Sequence, residues 1–536
     1  MIERRILLSL ILFTFFINCK SKKEESGSDK TIEYVVGTDT LVIPKETKTL
    51  DGKQLSMIYC QQCHTYPDPA FLEKDVWEKG ILPRMGLRLG IDHQELNPLN
   101  GLSFKEMEII YAARIFPTKP LISKEDWNKI VKYYTTQAPD SIAHPEKRDA
   151  KSGLKSFNVI IPKFNYTEPV DVSLLKFDSL SSTFYVGDSD KKLSILNNKG
   201  EHINTLETKS PAVDIEVRNG EGFYVLNIGN LSPTDLPTGL FSTVINGKKF
   251  GSLSRVLLGG LKRPVDFSIG KLNEDTLPDI VVSSFGFYTG SLSWYENKGV
   301  DTYKEHVLRA KPGAQKTIIK DLNNDGLIDI VALMSQGDEG IFAYYNQGSG
   351  KFKEENLLRF SPINGSNYFD LVDFNKDGFL DILYVNGDNA DYSYSLKSYH
   401  GISIYLNDGK NNFQRKWFYP LYGASKAIAS DFDKDGDLDI AAIAFFADFE
   451  HDNPLPFVYL KNEGEYNFVA STLEDPLIGR WLTMESGDFD KDGDEDIALG
   501  KYITSPSPVP IELLKKWRES SPYILILDNK LKRKSN

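Results

Sequence analysis

One ten-residue pattern returns along the C-terminal part of this chain and limits its fold more than any other feature. It reads DLNNDGLIDI at Asp321, DFNKDGFLDI at Asp373, DFDKDGDLDI at Asp431 and DFDKDGDEDI at Asp488. A degenerate copy, KLNEDTLPDI, begins at Lys271, and successive starts lie 50, 52, 58 and 57 residues apart. A period of that length, with several short strands per unit, points to a β-propeller: one unit cannot bury both its faces, so neighbours must stack. Each copy runs into an apolar stretch such as Ile330-Val331-Ala332-Leu333, which reads as a strand. A second apolar run and an Asn/Gly turn follow. Two weaker units precede Lys271, which makes the count about seven, with six or eight still open. Residues 165–536 are assigned to this all-β ring, closing on the apolar run near Tyr523–Leu527.

The loop chemistry follows from the spacing. Oxygens at positions 1, 3 and 5 point inward, glycine at position 6 permits a sharp turn, and an acid at position 9 closes the cage. Calcium takes about six to eight oxygen ligands and suits such a loop. The expected ligands are Asp321, Asn323, Asp325 and Asp329; Asp373, Asn375, Asp377 and Asp381; Asp431, Asp433, Asp435 and Asp439; and Asp488, Asp490, Asp492 and Asp496. Up to four Ca2+ ions are expected. Asn323 and Asn375 each replace an acid, which weakens their sites. The Lys271 loop has lost its first acid, its third and its glycine, and is expected to bind nothing. The expected role of the ions is to fix blade hairpins by neutralising clustered carboxylates.

A different chemistry stands near the N-terminus. Cys60-Gln61-Gln62-Cys63-His64 is a CxxCH motif. Its two thiols lie about one helical turn apart and can add to the two vinyl groups of one haem, with the adjacent histidine reaching the iron. Zinc would need more ligands nearby, and a redox dithiol would leave the histidine without a role. One covalent haem c is therefore expected, on Cys60, Cys63 and His64. For the second axial ligand, Met85 sits in a Pro/Gly-punctuated segment that reads as a loop, and His93 is its competitor. Helical spacing is expected at 52–64, 104–115 and 123–134, with the last packing on the first. Residues 141–164, rich in Pro, Lys and Asp, read as a linker.

The first residues read as an address. Arg4 and Arg5 precede a short apolar run that ends at Cys19. The run is too short for a membrane span and reads as a secretory signal over residues 1–18. A polar tether would then fill 19–49.

These motifs carry resemblances. Residues 50–140 resemble a small all-α, class I-like cytochrome c domain, on CxxCH and the helical spacing. The Asp-rich loops with their trailing N-x-G resemble FG-GAP/VCBS repeats, familiar from integrin α-subunit propellers. Cys19 resembles the lipid-acceptor cysteine of a bacterial lipoprotein, although Phe16-Ile17-Asn18 departs from the usual residues before it. The combination resembles exported Bacteroidetes lipoproteins. It implies a multidomain chain held in the cell envelope by lipid alone, at the periplasmic or surface face of the outer membrane.

Three functions are compatible with these features. One is a monohaem electron carrier with a calcium-stabilised propeller as recognition platform, serving a redox partner protein. The second is an oxidoreductase, a propeller dehydrogenase passing substrate electrons to its haem. The third is a surface ligand-binding or adhesion module with an accessory haem. Long loops at 284–290, 386–400, 445–456 and 503–517 are rich in Tyr, Phe and Asp and suit a glycan, a protein or the haem domain itself. The formal net charge of −12 argues against a nucleic-acid partner.

Overall fold

The structure is a computed structural model. It describes residues 31–531 apart from 94–96, 98, 143–148, 164–169, 219–220, 246–253, 389–394, 451–453 and 505–506. Cys19 and the leader lie outside the described residues.

Seven antiparallel sheets form a ring, a seven-bladed β-propeller. Blades 1 to 6 span 172–207, 212–261, 264–309, 314–359, 366–420 and 424–472, and blade 7 begins at 481. Blades 1 to 6 each carry four strands that meander in sequence order, and the first strands of neighbouring blades touch around the ring. The second strands of blades 3 to 7, such as Asp329–Met334 and Asp439–Ala444, are buried on both faces. That burial explains why they read as continuous apolar runs rather than as alternating ones. Outer strands such as Phe352–Arg359 face water and carry charge.

Ring closure differs from the expectation. Blade 7 takes only three strands from the C-terminal region, Trp481–Gly487, Asp496–Lys501 and Ile524–Asn529. Its fourth strand is Phe157–Ile160, antiparallel to Ile524–Asn529, with Ile160 opposite Ile526 and Phe157 opposite Asn529. Lys151–Ser152 adds to the edge of blade 6. The segment 141–164 is thus no mere linker, because part of it completes the ring. Four residues are too few to show a period, so only their pairing reveals them as a strand.

The segment 19–49, expected as a polar tether, holds a hairpin, Thr31–Val36 with Asp39–Pro44, so the N-terminal unit as a whole is not all-α. Its helices include Gly52–Tyr59, Leu82–Arg88, Phe104–Ala112 and Lys124–Gln137. Asp51 and Gln54 form a capping box on the first, and Ser103 and Glu106 form one on the third. Ser123 caps the last through the Asp126 N–H.

The first and last helices cross at Gly52. A Cβ there would lie 2.2 Å from the Lys129 carbonyl oxygen and 2.7 Å from Tyr133 Cβ. Gly52→Val should therefore push the helices apart and cost about 3 kcal/mol. An unchanged thermal unfolding curve would refute this reading of the crossing. The expected loop around Met85 is instead the helix Leu82–Arg88. Pro83 is tolerated in its first turn. Gly86 admits the Trp127 ring, 3.0 Å from where its Cβ would be.

Candidate functional site

Two groups of residues carry chemistry, and they lie on opposite faces of the ring. In a meander, the loops after strands 1 and 3 share one face. The loops after strand 2 and the links between blades share the other.

The CxxCH motif follows the first helix, whose C-cap is Cys60. The core beneath it contains Leu55, Tyr59, Trp77, Trp127, Ile130 and Tyr134, and Cys60, Cys63 and Met85 pack against that core half-buried. Burial pushes the Cys60 thiol up to about 12 and the Cys63 thiol up to about 11. Both are neutral thiols, unlike the depressed pKa of a redox dithiol. His64 Nδ1 lies 2.7 Å from the Thr65 carbonyl oxygen. Burial lowers the pKa of this histidine, so the neutral ring donates from Nδ1 and leaves the Nε2 lone pair for a ligand.

The Trp127 indole N–H, buried and without a partner, lies beside Gly86, next to Met85. An orphaned buried donor calls for an acceptor. The donor set and this orphan fit a haem with acidic substituents. His93 is half-buried and outside that core.

The propeller covers this crevice. Thr65 Oγ1 donates to the Phe360 carbonyl at 2.7 Å, and Lys311 pairs with Asp39 at 2.7 Å. Thr234 Oγ1 donates to Glu106. Phe71 meets Tyr399 edge-on at 5.7 Å, and Phe116 meets Tyr288 at 5.4 Å. The Arg88 guanidinium sits over Phe116 and Tyr288, at 5.5 and 5.9 Å. All these propeller residues belong to loops after strand 2 or to links between blades.

Two of the four aromatic loops, 284–290 and 386–400, therefore meet the helical unit. The other two pack on each other. Arg480, fully buried, donates to the Phe445 carbonyl at 2.8 Å and stacks on the Phe445 ring at 3.9 Å. Phe449 meets Trp517 at 5.1 Å.

Several residues of this seam escaped the sequence reading. Buried Asp235 accepts the backbone N–H groups of Phe287, Tyr288 and Thr289 and so shapes the loop that meets Phe116. Asp338 binds Arg309 at 2.6 Å and Arg359 at 2.7 Å, and Asp338, Arg359 and Arg88 all bear on the charge of His64. Asp235, Asp338 and Arg359 belong to no motif, and a lone Asp or Arg at a loop or strand end gives no sequence signal of a long-range partner.

The Asp-rich loops occupy the opposite face. Position 4 is left-handed in all four (Asn324, Lys376, Lys434 and Lys491), and so is the glycine at position 6. In the Lys271 loop neither Glu274 nor Thr276 adopts that backbone.

The position-9 aspartates are fully or nearly fully buried and brace each blade. Asp329 accepts Leu322 N–H at 2.9 Å and Asn346 N–H at 2.8 Å. Asp381 does the same with Phe374 and Asn407, and Asp496 with Phe489 and Asn529. Asp439 accepts Asn462 N–H and the Tyr459 hydroxyl. Asp279 of the degenerate loop keeps the brace, with Leu272 and Asn297.

The loops differ at positions 1 and 3. In blades 4 and 5 the first aspartate accepts the position-5 N–H, and Asn323 and Asn375 donate to Asp325 and Asp377. In blades 6 and 7, Asp431 Oδ1 and Asp488 Oδ1 are buried with no partner. Oxygens of Asp431, Asp433 and Asp435 lie within 4.8 Å of one another, as do those of Asp488, Asp490 and Asp496. In each set the first aspartate brings one buried, unpartnered oxygen to a group of converging carboxylates, which fits a hard cation. Burial also pushes Asp439 up to about 6 and Asp496 up to about 7.

Fold and loops together define a seven-bladed β-propeller carrying FG-GAP-like repeats, a fold suited to ligand binding or recognition. Residues 321–384 match the FG-GAP-like repeat family. No curated protein matches the chain. Among solved structures it is similar to BBS1N in complex with ARL6DN, with 10% identity, 72% of this chain and 99% of that one covered, and a TM-score of 0.44. It is similar to the Neurospora crassa Pan2 WD40 domain (9% identity, 71% and 97% covered, TM-score 0.42). It is also similar to the RRP9 WD40 repeats (10% identity, 71% and 99% covered, TM-score 0.43).

Proposed function

We propose that the chain is an exported, lipid-anchored carrier of one c-type haem for single-electron transfer, with a calcium-stabilised propeller as its recognition platform. The observation that carries this reading is a half-buried CxxCH motif against the helical core, with His64 held through Nδ1 and an orphaned Trp127 N–H beside Gly86. Cys60 and Cys63 would tether the haem, His64 would be one axial ligand and Met85 the other, with His93 as competitor. When bound, the haem supplies one-electron exchange. The chain's own residues orient the His64 ring through Thr65 and bring the loops of blades 2 to 5 against the crevice. A redox partner protein would approach the rim of this seam. Cys19 would carry the lipid and hold the protein in the cell envelope, at the outer membrane. The remaining propeller surface is open to a protein or glycan ligand.

Absorbance and intact mass of the purified holo-protein test the reading. One covalent haem per chain is expected, and its loss in Cys60→Ala/Cys63→Ala. Met85→Ala should lower the midpoint potential by about 100 mV or more, within the ~0.8 V range that axial ligands span. His93→Ala should leave potential and axial spectrum unchanged. The reverse pattern would assign His93 instead.

A further inference from the structure

We infer that the Asp-rich loops are not equivalent: Lys461 fills the blade 6 loop with an internal cation, and Asp528 makes the blade 7 loop the preferred calcium site. This rests on the calcium reading above and adds a rank among its sites.

The residue just before the bracing asparagine decides the difference. That asparagine N–H is fixed on the position-9 aspartate, at Asn462 on Asp439 and at Asn529 on Asp496, both at 2.8 Å. The preceding side chain is thereby held at the loop. In blade 6 it is Lys461, and its ammonium pairs with Asp433 and stands 3.7 Å from Asp435. Both carboxylates are expected calcium ligands, so an ion entering this cage must displace a tethered positive charge. In blades 4 and 5 the same position holds Tyr345 and Leu406, which carry no charge.

Blade 7 has the opposite sign. There the position holds Asp528, next to the Asn529 whose N–H is fixed on Asp496, and it accepts Asn158 Nδ2 at 3.0 Å. Asp494, only 3% exposed, adds a further carboxylate whose Oδ1 has no partner. The orphaned Asp488 Oδ1 and Asp494 Oδ1 therefore sit in a loop with no lysine at the Lys461 position. Lys434 reaches this loop through the Gly493 carbonyl, while Asp488 Oδ1 and Asp494 Oδ1 keep their lone pairs for a divalent cation; the ammonium on Asp433 opposes one in blade 6.

Calorimetric titration of the metal-stripped full chain with calcium chloride tests this. The wild type should show one tight class, about one ion per chain. Asp528→Asn should weaken that class about tenfold by removing one charge. Lys461→Met should strengthen the blade 6 site about tenfold and add a second tight class. Lys461→Arg, which keeps the charge, should leave the isotherm close to wild type. Lys461→Met should also melt below the wild type without metal and above it with calcium, a crossover that a simple packing change would not give. If the protein takes up calcium and Lys461→Met titrates like the wild type, the inference fails while the calcium reading stands. If no variant takes up calcium, the calcium reading itself falls.

Discussion

Stripping calcium from this protein is expected to lower its melting temperature by about 5 °C. One tight site held about 100-fold above its Kd contributes about 2.7 kcal/mol to the ring. The metal-free protein should also respond to pH in a definite direction. Burial raises Asp439 to about 6 and Asp496 to about 7 in the fold, against about 4 for an unfolded aspartate. Between those values the native state binds more protons than the unfolded chain. Metal-free stability should therefore be highest near pH 4 and fall as the pH rises toward 7. Saturating calcium requires the ionised carboxylates, so it should cancel or reverse that slope. Melting curves in EDTA and in calcium, from pH 4 to 8, check both statements. A metal-free melting temperature that rises over this window would contradict the burial argument.

The second large effect separates two aspartates six residues apart in one loop. Asp496→Ala removes the acceptor of two backbone N–H groups, from Phe489 and Asn529. Leaving them unpaired inside the blade costs about 3 kcal/mol or more. That cost does not depend on metal, so it should be present in EDTA. Asp490→Ala loses one exposed bond, from the Asp492 N–H at 3.0 Å, and relieves repulsion with Asp488 and Asp492, so it should cost under about 1 kcal/mol in EDTA and clearly more in calcium. Asp279→Ala offers the control. The degenerate loop keeps the brace without the rest of the cage, so its loss should match Asp496→Ala in EDTA and show no calcium dependence. Equal losses for Asp490→Ala and Asp496→Ala in EDTA would remove the distinction between brace and cage.

The blades were legible because the loop pattern marks the same turn in each one and sets the register of the strands around it. Blades 1 and 2, which lack the pattern, were still found from paired apolar runs. Phe157–Ile160 was not legible, because a four-residue strand in polar surroundings has no period of its own. Leu82–Arg88 was misread because Pro83 and Gly86 resemble loop punctuation. In the fold the proline sits in a helix's first turn and the glycine makes room for Trp127. The composition of the CxxCH site was plain in sequence, but its setting was not. Tyr288 and Phe360 lie more than two hundred residues from the cysteines, and no local pattern announces such partners. The second duty of the position-9 aspartates was hidden too, since an acid that completes a cage and one that holds two amides look alike in sequence.

The borrowed outer strand of blade 7 dictates how this molecule can be cut. A fragment beginning at residue 165 would contain every recognisable repeat and still leave blade 7 without its outer strand. Its Ile524–Asn529 edge would offer unpaired amides and carbonyls to any neighbouring chain, a template for aggregation. A fragment beginning at about residue 149 would keep both Lys151–Ser152 and Phe157–Ile160 and so leave blade 7 complete. Heredity faces the same boundary as the bench: the propeller can be transplanted or duplicated only together with a few residues that belong, by position, to the unit before it.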